Sequence, residues 1–300
     1  MISDAASLSI ALEEALALPR REQPDALRRL SQSIEAGELE EWNSRFGPDS
    51  LFDAWTSNQL VSDLYRANAR TLRQRLSDGW SAIEVGGGDG RLWAHLSEVP
   101  AGDLWVVDPS PGVHERLRSL LPSQICLHSV VARVQDALPE LPEVDAVICS
   151  LTLHHIAGAD TRERQASGLT GPGKLEILQT FREKISASRG LLLINEADIH
   201  CDLELASGSP ILMDRLIDSY VRRTARALCN EMAALEQNGD PDQRHTRLLA
   251  LIKHWCLDQI DMALKPVADR DVYELDVARW LALFERAGLS VRERQFTDEW

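Results

Sequence analysis

The sequence predicts an α/β protein: a doubly wound, mostly parallel sheet with a helical cap before it and a helical insertion after its fifth strand. Three observations carry this reading. From about residue 80 short apolar runs alternate with amphipathic stretches, the rhythm of a parallel sheet with crossover helices. A run of glycines, Gly86-Gly87-Gly88 with Gly90, directly follows the first apolar run. Ahead of that run, and again over 210–264, apolar residues recur at the three- and four-residue spacing of helices.

Each element follows from its residues. Helices are expected over 7–18 and 24–36, ended by Gly37 and the Gly47-Pro48-Asp49 cluster. A third, over 58–76, carries the stripe Leu60, Val61, Leu64, Tyr65, Ala69, Leu72 and Leu76, and Asp78-Gly79 stops it. Strands are expected at 81–85, 104–107, 125–127, 144–149 and 191–194, with helices at 91–96, 113–121 and 174–185 between them. The helical stretch 210–264 is broken at Asn238-Gly239-Asp240-Pro241, and a last helix over 275–287 precedes a last strand over 289–296. The expected organisation is a helical cap (1–78), an α/β core (79–202), a helical insertion or lid (203–272) and a final helix and strand of the core (273–300).

Composition narrows the function. With 47 Asp and Glu against 32 Lys and Arg, the net charge is −15. Such a surface repels nucleic-acid phosphates and anionic lipid, so neither is an expected partner. The five cysteines are widely spaced, with no C-x-x-C pair. That fits reduced thiols in a cytoplasmic protein better than a disulfide framework or structural zinc. The early apolar stretch 5–18 contains Glu13 and Glu14 and lacks a basic leader, which argues against a secretory signal.

The motif Glu84-Val85-Gly86-Gly87-Gly88-Asp89-Gly90 lies between an expected strand and helix. Glycines there let a backbone approach a ligand closely. A dinucleotide-type G-x-G-x-x-G would need glycine at 91, where Arg91 stands. The E-x-G-x-G-x-G spacing instead resembles motif I of the class I S-adenosylmethionine (SAM) dependent methyltransferases. The apolar run into Ser150-Leu151-Thr152-Leu153-His154-His155 and the later Leu191-Leu192-Leu193-Ile194-Asn195-Glu196 resemble that family's fourth and fifth strands.

The resemblance implies SAM as cofactor on a Rossmann-like sheet. Gly86 and Gly88 would meet SAM through their backbones, and Glu84 or Asp89 would hold its amino group. Asp108 ends the second strand, where the family binds both ribose hydroxyls; a carboxylate can accept two O–H bonds at once. Ser129 or Asp136 falls near the adenine position, Ser150 ends the fourth strand, and Tyr65 would meet the SAM carboxylate. Arg66, Arg70 and Arg73 share the helix of Tyr65 and read equally as a solvated face. The family's antiparallel seventh strand has no counterpart after Phe296. Either it is lost, or another segment fills its place, or the chain is part of a longer polypeptide.

Methyl transfer is an in-line displacement, so alignment alone contributes ~7–11 kcal/mol. A base is needed only where the acceptor must lose a proton. His154, or else His155, with Glu196 as orienter, is the candidate, a pairing that also resembles the C-methyltransferase domains of polyketide synthases. Glu196, Asp198, His200 and Asp202 alternate metal-type donors but read as a solvated loop, so no metal is expected. Trp42 and Trp55 read as core or as acceptor-pocket walls. The expected activity is methyl transfer to a small-molecule acceptor. The alternatives are a carrier-bound acyl or protein acceptor, or a non-catalytic scaffold. For assembly, a homodimer or a parent multidomain synthase is expected.

Overall fold

The computed structural model describes residues 1–36, 51–56, 59–96, 98–156, 172–186, 190–198, 207–238, 243–266, 269–270 and 275–296. Trp42, His200, Cys201 and Asp202, all singled out from the sequence, lie outside these residues. Two N-terminal helices come first, α1 (Ala5–Ala17) and α2 (Gln23–Ser33). The Asp4 carboxylate caps α1, accepting from the Ser7 N–H at 2.8 Å, one of the donors a helix start leaves unmet. A short α3 (Leu51–Thr56) and a long α4 (Gln59–Arg75) lead into the sheet.

The α/β part runs β1 (Trp80–Val85), α5 (Arg91–Ala94), β2 (Gly102–Val107), α6 (Pro111–Leu120), β3 (Ile125–Val130), α7 (Val134–Ala137), β4 (Ala146–Ser150), α8 (Pro172–Lys184) and β5 (Leu191–Asn195). All four strand pairings are parallel, and the order is β3-β2-β1-β4-β5. The fold is therefore Rossmann-like, as expected. Strand order reverses beside β1, and ligands of such sheets bind at that crevice beyond the carboxyl ends.

Beyond β5 come α9 (Pro210–Leu216), which continues as a π-helix over Ile217–Ala225, and α10 (Arg226–Gln237). Then α11 (Gln243–Leu251) passes into a second π-helix, Ile252–Leu257, followed by α12 (Gln259–Leu264) and α13 (Val277–Arg286). No described helix is long and apolar enough to cross a membrane.

Alternate residues of a strand face opposite sides. On one side Ala82, Leu104, Val106, Ala146 and Ile148 join a core that also takes Leu8, Leu27, Leu72, Leu216, Ile252 and Ile260. The N-terminal helices and α9–α12 thus form one packed body on that side. Arg20–Asp214, Arg28–Asp261 and Arg226–Glu13 ion pairs, each 2.6 Å, tie the two together at their surface. On the other side Ile83, Val85, Val107, Val147 and Cys149 meet Leu178 and Phe181 of α8 and Trp280 and Leu283 of α13. Each fully buried side chain of this size contributes ~1.5–3 kcal/mol.

One expected strand is missing. Residues 289–296 form no strand, and Val291 and Phe296 are 48% and 63% exposed. Leu289 and Val291 would share a face with Glu293 and Gln295, so no continuous apolar face exists for a sheet to cover. A short helix, α3, stands where no element was expected.

Candidate active site

The glycine loop is held from three directions. Gly86, Gly88 and Gly90 all have positive φ (71°, 54° and 74°), a conformation that costs other residues strain. A Cβ at Gly86 would strike the Thr152 side chain, and one at Gly88 would sit 3.1 Å from the Phe52 ring. The loop therefore lies between β4's outgoing turn and helix α3.

Three carboxylates surround it. Glu84, at the end of β1, is 3% exposed and accepts from the Trp93 indole N–H at 2.6 Å. Burial pushes its pKa up to about 8; the Trp93 bond opposes this, while Asp108 and Asp89 reinforce it. Asp108 is buried beyond β2 and accepts the Ser110 N–H at 2.8 Å. Burial raises its pKa to about 6, against the backbone donors Ser110 and Gly87.

Asp89 is spent within the protein. It accepts the Thr56 hydroxyl, the Arg91 N–H at 3.1 Å and the Arg91 Nε at 2.7 Å. Arg91 reaches on to Asp53 at 2.6 Å. Burial still raises the Asp89 pKa, although Thr56 and Arg91 oppose it. Asp89, one of the two carboxylates expected at a cofactor amino group, staples α3 to the loop.

At the other half of the edge, β4 ends at Ser150 and is followed by Leu151, which has a positive φ of 50°. That strained residue turns the chain into a short 3₁₀ helix, Leu153–His155. Glu196, directly after β5, organises the turn. One oxygen accepts the N–H groups of Thr152 (3.1 Å) and Leu153 (2.7 Å), and the other lies 2.7 Å from His154 Nδ1. The side chains of His154 and Glu196 are 11% and 4% exposed. A carboxylate at Nδ1 fixes the proton there and leaves Nε2 as the lone-pair nitrogen. His155 is exposed, its ring centroid 4.3 Å from that of His154. Buried Lys174 anchors the end of the turn by donating to the Ile156 carbonyl at 2.9 Å.

The remaining expected residues divide. Ser150 accepts from Asn195 (3.2 Å) and Asn68 (3.4 Å), so it joins α4, β4 and β5 near the edge. Tyr65 is buried close enough to Asp89 and Glu84 to feel their charges, and burial raises its phenol pKa. Ser129 accepts from Arg118 at 3.1 Å, level with Val106 inside the sheet. Asp136 is exposed and pairs with Arg133 at 2.9 Å. Arg66 pairs with Asp63 on its own helix, Arg70 is exposed, and Arg73 donates to the His95 carbonyl. Trp55 is buried edge-on against Trp255, so it is core. Sequence reasoning missed Phe52, Asp53, Thr56 and Asn68, none of which belongs to a local motif, and gave no role to Thr152 within the run that follows the fourth strand.

Residues 82–169 match a family model described as a methyltransferase domain. That span holds the glycine loop, Asp108 and the two histidines. No curated protein matches the sequence. Among solved structures, one similar protein is a coclaurine N-methyltransferase bound to N-methylheliamine and SAH, at 12% identity and TM-score 0.45, covering 90% of this chain and 97% of that one. Another is a putative O-methyltransferase from Nostoc punctiforme, at 12% identity and TM-score 0.43, covering 94% and 67%. A third is the precorrin 8w decarboxylase of Methanobacterium thermoautotrophicum, at 16% identity and TM-score 0.30. That match covers 43% of this chain and spans 60% of the length of that relative.

Proposed function

We propose that the protein transfers a methyl group from SAM to a small-molecule acceptor, with His154 as the base and Glu196 as its orienter. The observation that carries this is the His154–Glu196 pair, standing one turn from the glycine loop and joined to it by Thr152.

The residues present fit SAM. Gly86 and Gly88 give the loop the positive φ that brings bare backbone to the carboxyl edge of the sheet. Asp108 supplies the acceptor chemistry a ribose diol needs, and Glu84 is the carboxylate left for a cationic amino group once Asp89 is committed to Arg91 and Thr56. When bound, SAM supplies a methyl group activated on a sulfonium.

The protein's own share is positional and protolytic. The loop and Asp108 orient the donor. Nε2 of His154 takes a proton from an acceptor O–H, N–H or activated C–H, and Glu196 stabilises the imidazolium that results. Because Glu196 also holds the Thr152 and Leu153 N–H groups, the imidazole and its turn move as one unit. Helices α9–α12 support a lid role by packing on the same side of the sheet as α3.

Calorimetric titration with SAM and with its demethylated product tests the reading. Micromolar binding is expected, weakened at least about tenfold in Asp108→Ala. Absence of binding by either ligand overturns it.

A further inference from the structure

A second cluster of chemically able side chains stands at the opposite end of the sheet. Asp103 and Trp105 of β2 lie in register with Cys126 and His128 of edge strand β3. Being two apart on paired strands, all four project from one face. Asp103 is five residues before Asp108, which is roughly 16 Å along an extended strand, so the cluster is separate from the glycine loop.

The cluster has built geometry. One carboxylate oxygen of Asp103, the thiol of Cys126 and a ring nitrogen of His128 lie within 4.8 Å of one another. His128 Nε2 is 2.7 Å from the Asp103 carboxylate. The Trp105 ring stacks on the imidazole at 4.3 Å and 10° and so fixes its plane. Paired strands hold the three donors without a loop to order, the condition under which a ligand set is pre-organised. Cys126 is exposed, whereas Cys149, Cys229 and Cys256 are buried.

We propose that Asp103, Cys126 and His128 bind a zinc-class divalent transition-metal ion. A thiolate with an imidazole and a carboxylate selects such an ion over magnesium or calcium, which take all-oxygen sets. Three protein donors leave a fourth tetrahedral position for solvent or a solute. The thiol must lose its proton to bind, so affinity rises with pH.

Cobalt(II) is the probe, because a thiolate ligand gives a charge-transfer absorption and tetrahedral coordination gives intense visible bands. Titration of the full chain is expected to saturate at one equivalent, with both signals displaced by zinc. Cys126→Ser should abolish the charge-transfer band, and His128→Ala and Asp103→Asn should each weaken binding more than about tenfold. Thermal midpoints in chelator should match wild type, since these side chains are not core. A wild-type protein without the bands overturns the proposal, as does a Cys126→Ser protein that keeps them. Should Cys126→Ser fail to fold, Asp103→Asn decides by the same bands: undiminished affinity overturns the site, and weakened affinity supports it.

Discussion

The two halves of the sheet's carboxyl edge treat their carboxylates in opposite ways. Beside β1 and β2, Glu84, Asp89 and Asp108 are crowded and buried, and burial drives all three pKa values upward. Beside β4 and β5 the Glu196 carboxylate is wrapped by two backbone N–H groups and an imidazole. The first half holds acidic groups that a cationic ligand can discharge. The second commits the Glu196 carboxylate to His154 and the turn that carries it. On the proposed function, binding and chemistry would sit on separate carboxylates, and each half could be broken without the other.

The sharpest break is Glu196→Gln. It keeps the size and an acceptor oxygen but removes the charge that stabilises an imidazolium. A fall in kcat of ~10²–10⁴-fold is expected, with SAM affinity nearly unchanged. Equal loss of SAM affinity, read by calorimetry beside turnover, would join the two halves and defeat the comparison.

Next in size is the pH dependence of stability. The folded-state pKa of Glu84, about 8, lies above its ordinary 4.5, so the folded protein binds that proton more tightly than the unfolded chain. Stability from this group is full below the ordinary value and is lost as pH rises toward 8. The slope reaches up to ~1.4 kcal/mol per pH unit for one proton. Asp108, at about 6, adds to the lower part of that window. Urea unfolding midpoints should therefore fall as pH rises toward 8, and Glu84→Gln should flatten the upper part. A slope identical in the variant would show that Glu84 is not the group.

The smallest expected effect is that of Thr56→Val. It removes the hydroxyl that α3 donates to Asp89, at a cost of ~1–2 kcal/mol. A lower thermal midpoint and a severalfold weaker SAM affinity are expected. Lost stability with undiminished affinity would make α3 a support for the helical body alone.

How much of this was legible follows from sequence distance. The glycine loop was readable because its residues are consecutive, and the five strands because each apolar run carries its own signal. Strand β3 read as 125–127 but extends through Val130, since His128 and Ser129 interrupt the apolar run. Helix α3 spans six residues, too few turns for a period to show, yet it carries Phe52, Asp53 and Thr56 onto the loop. Thr56 meets Asp89 from 33 positions away, and nothing local marks the pair. His154 and Glu196 were readable as a candidate pair from their places after the fourth and fifth strands. That Glu196 also holds the Thr152 and Leu153 N–H groups depends on the pairing of β4 with β5, which spacing does not encode. The alternation of 289–296 misled because Glu293 and Gln295 occupy the face that Leu289 and Val291 begin.

The strand order carries a consequence for synthesis. β1 lies at the centre of the sheet but leaves the ribosome first, and both of its neighbours come later. β2 follows closely, whereas β4 ends only at Ser150, beyond α5, β2, α6, β3 and α7. At ~5–20 residues per second, the β4-facing edge of β1 waits roughly 3–13 s for its partner. During that interval Ala82, Ile83 and Val85 present an apolar, hydrogen-bond-hungry edge that ends in the glycine loop. The strand that leads into the glycine loop is therefore also one whose edge stays open while the rest of the sheet is made.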